Sequence, residues 1–410
     1  MRLLFVSDSF PYPPESGTRV RDYNLIRCLA ARCELGLLAF TFNERESAGA
    51  QTLRRYCTVV ETVRFQRQSK WRHLPGVVAC LLKGQPLASK FVYSPDFAAK
   101  LRRLTAEQHF DVVQIDCTPM APYVRQINSA VDGAARTRTA LVFIDVNAHK
   151  FKRLLDHEHA AGARLRWWLD WKLMQHWEAR YAENFDACVM MSAVDAQRVQ
   201  QRNPRLRPLV IPNGVDVREK QPLPDRADSA DILLIGTLSH APWADAVRYF
   251  HAEVFPLIKQ TVPLARLLIV GDAPLQVQSL AADDVIVTGR VDEVQPYYEQ
   301  ACLAAVPLRS GGGTRLKILE SLAYGRPVVT TSVGCEGLDL RDSADVLIAD
   351  EPRAFADQVS RVLTEPALRR SLAQHGRCTV EQQYGWDIIA DRLLTAYEQL
   401  CANDHRRLHD

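Results

Sequence analysis

The sequence predicts an α/β protein built as two Rossmann-like, doubly wound domains. Its 410 residues exceed what one hydrophobic core usually serves, since cores stop growing near roughly 250–300 residues. Short apolar runs bounded by turn residues alternate with longer amphipathic stretches, the signature of repeated βαβ units around parallel sheets. This alternation runs twice, on either side of the polar, proline-bearing stretch Arg218–Ser229, which reads as the linker.

In the first series the strand candidates are Leu3–Val6, Leu35–Ala39, Thr58–Val63, Val112–Ile115, Ala140–Ile144, Ala187–Met191 and Leu209–Ile211. They are apolar throughout, so helices must cover both sheet faces. Thr18–Arg32 reads as a helix with Val20, Tyr23, Ile26 and Leu29 on one face, and Gly162–Glu183 as a long helix rich in tryptophan. In the second series the strands are Ile232–Ile235, Arg266–Val270, Val285–Thr288, Leu303–Val306, Pro327–Thr331 and Asp345–Ile348. A last helix follows Tyr384-Gly385-Trp386, which has the look of a chain crossing point. The division expected is 1–213 for the first domain and 214–385 for the second, with 386–402 packing on the first.

Composition narrows the function. Hydrophobic residues at 47% and charged residues at 24% are those of an ordinary globular chain. A net charge of +3 is too small to argue for a nucleic-acid partner, which needs a concentrated basic face, so none is expected. The ten cysteines are scattered without CxxC pairing, several in apolar runs such as Ala187-Cys188-Val189, and read as buried free thiols in a reducing compartment. The apolar opening before Ser7-Asp8 is too short for a signal-peptide core, and no run approaches the roughly 18 apolar residues that span a bilayer. A cytoplasmic protein follows, with peripheral attachment left open. No GxGxxG follows the first strand, where Ser7-Asp8-Ser9-Phe10-Pro11 stands, which argues against a dinucleotide-dependent dehydrogenase.

The chemistry concentrates at Ser310-Gly311-Gly312-Gly313-Thr314-Arg315-Leu316-Lys317-Ile318-Leu319-Glu320. The glycines come just after the strand Leu303–Val306 and open a helix. Backbone without side chains can approach an anion closely, and a helix N-terminus offers unpaired N–H groups with a positive dipole end. Arg315 and Lys317 sit in the first turn, where cations disfavour a helix by about 0.3–1 kcal/mol unless an anion compensates. Glu320 is placed to accept hydrogen bonds from ribose hydroxyls. A bare glycine run is as often a solvated surface loop; the strand–loop–helix context is what favours a diphosphate cradle.

With Gly311 to Glu320 followed by Ser321-Leu322-Ala323-Tyr324-Gly325-Arg326-Pro327-Val328-Val329, the chain resembles the family-four retaining glycosyltransferases of the GT-B fold, in a bacterial polysaccharide-type branch with a GGGTRLKILE segment. Further matches run along nearly the whole chain: Phe10 to Gly17, Ile211-Pro212-Asn213-Gly214-Val215-Asp216, Ala246 to Phe250, Ile269-Val270-Gly271, Thr288-Gly289-Arg290-Val291 and Val306-Pro307-Leu308. The resemblance implies an N-terminal domain for the acceptor, a C-terminal domain for a nucleoside-diphosphate sugar, reaction in the cleft between them, and a C-terminal helix crossing back. The family's pair of glutamates seven residues apart is half kept: Glu320 matches the second and Gly312 stands at the first. The family histidine near the anomeric centre falls on Asn147, with Asp145 and His149 as neighbouring candidates.

The donor-binding set is therefore Gly17, Arg21, Gly236, His240, Gly271, Arg290, Gly312, Gly313, Thr314, Arg315, Lys317 and Glu320, and the catalytic candidates are Asp145, Asn147 and His149. For several the plain alternative stands: His240 as a surface residue, Gly271 and Gly289 as tight-turn glycines, Pro13–Thr18 as an ordinary proline-rich turn. No metal and no cofactor are expected, since no Asp-x-Asp motif is present and the nucleotide sugar is a substrate. The acceptor would be a carbohydrate or a lipid-linked glycan. Two basic-aromatic stretches, Arg64–His73 and Arg164–Lys172, suit an anionic membrane surface, although tryptophans at helical spacing are more often core. A sugar-nucleotide epimerase and a non-catalytic sugar-nucleotide-binding subunit are the competing readings.

Overall fold

A computed structural model describes residues 1–65, 92–127, 136–158 and 160–407. Most of the stretch Arg64–His73 lies outside the described residues. The chain divides into two compact units: Met1–Pro212 together with the chain from Ile389 onward, and Asn213–Ile388.

The first unit holds a seven-stranded sheet in the order β3-β2-β1-β4-β5-β6-β7. Its strands are β1 Arg2–Ser7, β2 Glu34–Thr41, β3 Val59–Arg64, β4 Val112–Asp116, β5 Arg138–Phe143, β6 Ala187–Met190 and β7 Pro208–Val210. Every pairing is parallel, from Arg2 opposite Glu34 through Met190 opposite Val210. The main helices are α1 Gly17–Leu29, α2 Pro95–Glu107, α3 Asn147–His157, α4 Ala161–Ala182 and α5 Ala193–Arg202. Ser94 and Ser192 cap α2 and α5 by accepting from Phe97 and Asp195 backbone N–H groups, satisfying donors a helix start leaves open. The core gathers Leu4, Val6, Phe40, Phe97, Leu101, Val113, Leu141 and Trp177, all essentially inaccessible.

The second unit holds a six-stranded parallel sheet in the order β10-β9-β8-β11-β12-β13. Here β8 is Asp231–Ile235, β9 Arg266–Val270, β10 Val285–Gly289, β11 Leu303–Val306, β12 Val328–Thr330 and β13 Leu347–Ile348. Its main helices are α6 Ala241–Tyr249, α7 Phe255–Thr261, α8 Leu316–Ala323, α9 Pro352–Thr364 and α10 Pro366–Gln383. The final helix, α11 Trp386–Arg407, starts in the second unit and continues into the first. There Tyr397 donates its hydroxyl to Gln114 of β4 at 2.7 Å, inside the first unit.

Two expectations change. The stretch Arg218–Ser229 is a strap fixed along the second unit and not a linker. Arg369 pairs with Asp225 at 2.7 Å, Arg326 donates to the Pro224 carbonyl at 2.8 Å, and Arg377 reaches the carbonyls of Val217 and Lys220 at 2.8 and 2.5 Å. Polarity and proline marked an irregular segment, but buried arginines on neighbouring elements consume its backbone acceptors. The strand expected over Asp345–Ile348 shrinks to Leu347–Ile348, because Asp345 turns inward to accept from Arg341 and Thr379.

At the expected crossing point, Gly214 and Gly385 matter for different reasons. A side chain at Gly214 would meet the Trp386 ring and the Tyr384 carbonyl at 2.8 Å, so only glycine fits. Gly385 forms a parallel bridge to Val215, and the Val215 N–H donates to the Tyr384 carbonyl at 2.8 Å.

Candidate functional site

In an open parallel sheet, loops leaving the carboxyl ends of the two strands where the order reverses splay apart and leave a crevice. In the second unit these strands are β8 and β11. The loop after β8 carries Gly236 and His240; the loop after β11 carries the glycine run and leads into α8. The structure thus places six of the predicted residues, Gly236, Gly312, Gly313, Thr314, Arg315 and Lys317, in or just after the two loops that leave the carboxyl ends of these central strands.

The glycine run is a run of glycines because its backbone demands it. Gly311 and Gly313 have φ of +123° and +73°, conformations costly for side-chain-bearing residues. Arg315 is the N-cap of α8 and its side chain makes no capping bond; it folds back and donates to the Gly312 carbonyl. Thr314 is held by Asn213, whose amide donates to its hydroxyl at 2.7 Å. The helix start, the Arg315 guanidinium and the turned backbone form a compact positive locus, the arrangement that binds anions such as phosphate.

Gly236 and Gly271 line the ends of β8 and β9. A Cβ at Gly271, where φ is +145°, would fall 2.0 Å from the Gly236 carbonyl, and one at Gly236 would strike the Trp243 indole at 2.7 Å. Both glycines are required by the packing of the strand ends themselves. Arg290 is exposed beyond the edge strand β10, two strands from the reversal, and His240 is exposed as the N-cap residue of α6, its carbonyl accepting from Trp243 and Ala244.

Glu320 lies one turn into α8, and its side chain is 13% exposed. Lys317 donates to its Oε2 at 2.6 Å, Lys220 pairs with its Oε1 at 3.0 Å, and the Tyr298 hydroxyl lies 3.3 Å from Oε2. Burial by itself would raise the Glu320 pKa, but the two ammonium groups outweigh it and pull it down to about 2. Lys317 is thus paired with the carboxylate and not turned alone toward a phosphate position. Lys220 and Tyr298 were not singled out by the sequence, and Asn213 stood there only as part of the matched run Ile211–Asp216.

In the first unit the strand order reverses between β1 and β4. Asp8 follows β1 and Cys117 follows β4. Cys117 has φ of +69°, a strained conformation worth about 1–3 kcal/mol that structures retain mostly where function needs it. Burial raises the Asp8 pKa against hydrogen bonds from Cys117 and Ser9. Next to it, Asn147 opens α3 and donates its amide to the Thr118 hydroxyl at 3.0 Å. Glu178 of α4 is buried and accepts from the N–H groups of Asn147 and Ala148 at 2.8 and 3.2 Å, so a protein carboxylate already occupies this helix start. Burial drives the Glu178 pKa up to about 7, against those two bonds. Asp145 and His149 flank Asn147, both half-buried.

Gly17 is the exposed first residue of α1, whose N-cap Ser16 makes no side-chain cap bond. Arg21 departs from its expected role. It is 1% exposed, donates to the Pro212 carbonyl at 2.7 Å and sits in the field of the buried carboxyls of Asp22 and Asp116. One helical turn separates solvent from core on α1, and Arg21 falls on the core face, among the buried groups of the first unit.

Of the tryptophans in α4, Trp177 is core and donates to the Thr118 carbonyl at 3.3 Å, whereas Trp168 is 44% exposed beside Leu165 at 59% and Leu169 at 38%. Among the described residues all nine cysteines are free, and five of them are buried. No described helix is long and apolar enough to cross a membrane, and no group of three metal-ligating side chains occurs among the described residues.

Residues 16–219 match the family described as Glycosyltransferase Family 4, and residues 229–365 match Glycosyl transferases group 1. The chain is 21% identical over 401 residues, 93% of its length and 96% of the relative's, to an uncharacterised 44.6 kDa protein in the cps region of Klebsiella pneumoniae. It is 26% identical over 230 residues, 52% of its length and 51% of the relative's, to a D-inositol 3-phosphate glycosyltransferase of Acidothermus cellulolyticus. Among solved structures it resembles sucrose-phosphate synthase of Thermosynechococcus elongatus, with a TM-score of 0.71 at 17% identity over 98% of this chain and 100% of that one. It also resembles Anabaena HepE in complex with UDP-glucose, with a TM-score of 0.64 at 15% identity over 97% and 100% of the two chains.

Proposed function

We propose that this chain, which belongs to the family-four-type glycosyltransferases of the GT-B fold, moves a sugar from a nucleoside-diphosphate donor to a glycan or glycolipid acceptor with retention of anomeric configuration and without a metal ion. The observation that carries the donor half is the positive locus at the β8–β11 strand reversal: two left-handed glycines, the start of α8, and Arg315. A diphosphate bound there would gain charge stabilisation as its bond to the sugar breaks, which is where most of the catalysis in such a transfer resides. Glu320 is suited to take the ribose hydroxyls. A retaining transfer lets the leaving phosphate accept the acceptor's proton late, so a protein base is not demanded.

The HepE complex with UDP-glucose and the S. aureus TarM complex with UDP support a uridine diphosphate donor. The relative from a cps region supports a growing polysaccharide as acceptor. For the acceptor end, Asp145, Asn147 and His149 stand at the carboxyl end of β5, next to Asp8, Cys117 and Thr118. An epimerase and a non-catalytic subunit are not favoured, since both matched families are described as transferases.

The site of action in this reading is the cytoplasmic face of a membrane. The exposed Leu165, Trp168 and Leu169 of α4, flanked by exposed Arg164, Arg166 and Lys172, fit an anionic bilayer by both apolar and charge complementarity.

A panel of nucleotide sugars incubated with the protein and simple glycoside acceptors, with and without EDTA, tests the reading. The expected result is transfer from one donor, an EDTA-insensitive rate, and a product anomer matching the donor by NMR. An inverted product would overturn the retaining assignment, and donor binding without turnover on any acceptor would return the non-catalytic reading.

A further inference from the structure

The surroundings of Glu320 raise a counting problem that the donor site has to solve. A carboxylate offers about four acceptor positions, two on each oxygen. Three donors already face it: Lys317 and Tyr298 on Oε2, Lys220 on Oε1. One position remains, whereas a ribose presents two hydroxyls. One of the protein donors has to leave when the sugar binds.

The two lysines are not equivalent. Lys317 is in the first turn of α8, next to the positive locus, and its side chain is 33% exposed. Lys220 belongs to the strap: its N–H donates to the Asp216 carbonyl at 3.0 Å, its carbonyl accepts from Arg377 at 2.5 Å, and its ammonium stands 5.1 Å from the Tyr324 ring centre. Lys317 can turn to a phosphate within its own helical turn; Lys220 has its backbone pinned. Charge follows the same logic. Two ammonium groups and one carboxylate leave a net +1, so Lys317 can depart without stranding a buried, uncompensated anion only because Lys220 stays.

We propose that Lys220 is a positioning residue of the donor site, remaining on Glu320 to hold its carboxylate ionised and turned to the ribose diol while Lys317 transfers from Glu320 to the diphosphate. The proposal rests on the reading of Gly311–Glu320 as the donor site. It gives the strap segment, Arg218–Ser229, a part in nucleotide recognition that no glycine or cation pattern announces.

Calorimetric titration of the wild-type chain with UDP, ADP, GDP and CDP comes first, followed by the best binder against its 2′,3′-dideoxy form and its parent nucleoside. The wild type should favour the ribo form roughly tenfold to hundredfold, the range for hydrogen bonds to a charged group. In Lys220→Met that ratio should fall to near one; in Lys220→Arg, which keeps the charge, most of it should survive. In Lys317→Met the ribo-to-dideoxy ratio should persist while the preference for diphosphate over nucleoside falls. A Lys220→Met chain that binds more weakly but keeps the ribo-to-dideoxy ratio overturns the proposal and leaves the donor site standing. Should that variant fail to fold, loss of the ratio in Lys220→Arg overturns it equally. Absence of binding by the wild type to all four nucleotides brings down the donor site and this inference together.

Discussion

Asn213 donates its side-chain amide to the hydroxyl of Thr314 at 2.7 Å, fastening the first residue of the second unit to the loop that opens α8. Asn213 is 7% exposed, so the bond is largely shielded from water. Its loss should leave the glycine run intact but free to wander. Asn213→Ala and Thr314→Val are each expected to raise the donor KM several-fold while lowering stability by about 1 kcal/mol. The double variant should be little worse than either, giving a coupling of order 1 kcal/mol in a double-mutant cycle; strictly additive effects would show that the bond does not act on the loop.

Arg315 should matter to binding and little to folding, because its guanidinium lies at the glycine loop and its carbonyl, not its side chain, supports the helix start. Arg315→Ala is expected to weaken nucleoside-diphosphate binding roughly tenfold with a nearly unchanged unfolding midpoint. Equal affinity in Arg315→Ala and wild type would remove it from the donor site.

Glu320 sets an acid limit on stability. Its folded pKa is depressed to about 2 from an ordinary 4.5, so its contribution is complete above about pH 4.5 and is lost as the pH falls toward 2. Urea unfolding should therefore show Glu320→Gln less stable than wild type at pH 7, on the order of 3 kcal/mol or less, with the gap closing below pH 3. A gap that persists at low pH would mean that packing and not charge is responsible.

Glu178 has the opposite sign. Its folded pKa is raised to about 7, so its contribution is complete below about pH 4.5 and is lost as the pH rises through 7. Glu178→Gln should flatten the wild-type decline in stability between about pH 4.5 and 7. Because the carboxylate also accepts from Asn147 and Ala148, Glu178→Ala is expected to cost about 1–3 kcal/mol and to raise the acceptor KM more than the donor KM. A donor KM raised as much would argue against a role at the acceptor end.

The exposed face of α4 predicts binding to vesicles. Wild type should sediment with liposomes containing about a third anionic lipid and be released by salt, as expected of an attachment that combines apolar and basic contacts. Replacing Leu165, Trp168 and Leu169 by serine should reduce the bound fraction at least several-fold without altering transfer to a soluble acceptor. Binding that survives the triple change would place the attachment elsewhere.

All thirteen strands among the described residues fall where short apolar runs stand in the sequence, and the β8–β11 loop cluster was legible because glycines and helix-start cations are adjacent in the chain. What stayed hidden was whatever depends on elements distant in sequence. Arg21 looked like a cleft arginine on a short-range criterion, yet the residues that bury it, Asp116 and Pro212, lie about 95 and 191 positions on. Lys220 sat in a segment whose composition signalled a linker, and only Arg369 and Arg377 of α10 and Arg326 ahead of β12 reveal it as a fixed strap. Glu178 was one acid in a tryptophan-rich helix, with no local motif tying it to Asn147, 31 residues earlier. In the exposed portion of that helix the sequence could not tell a core tryptophan from a surface one, since Trp168 and Trp177 share an apolar, basic neighbourhood.

The last helix has an evolutionary corollary. Because the first unit ends at Pro212 and resumes at Ile389, and Tyr397 closes a buried bond to Gln114, a single recombination event at residue 212 would not transplant a complete first unit into a relative. The recipient would receive a sheet whose Gln114 met a foreign helix in place of Tyr397. A first unit of this topology is inherited intact only through two crossovers, or through one crossover followed by repair of the helix that comes with the other parent.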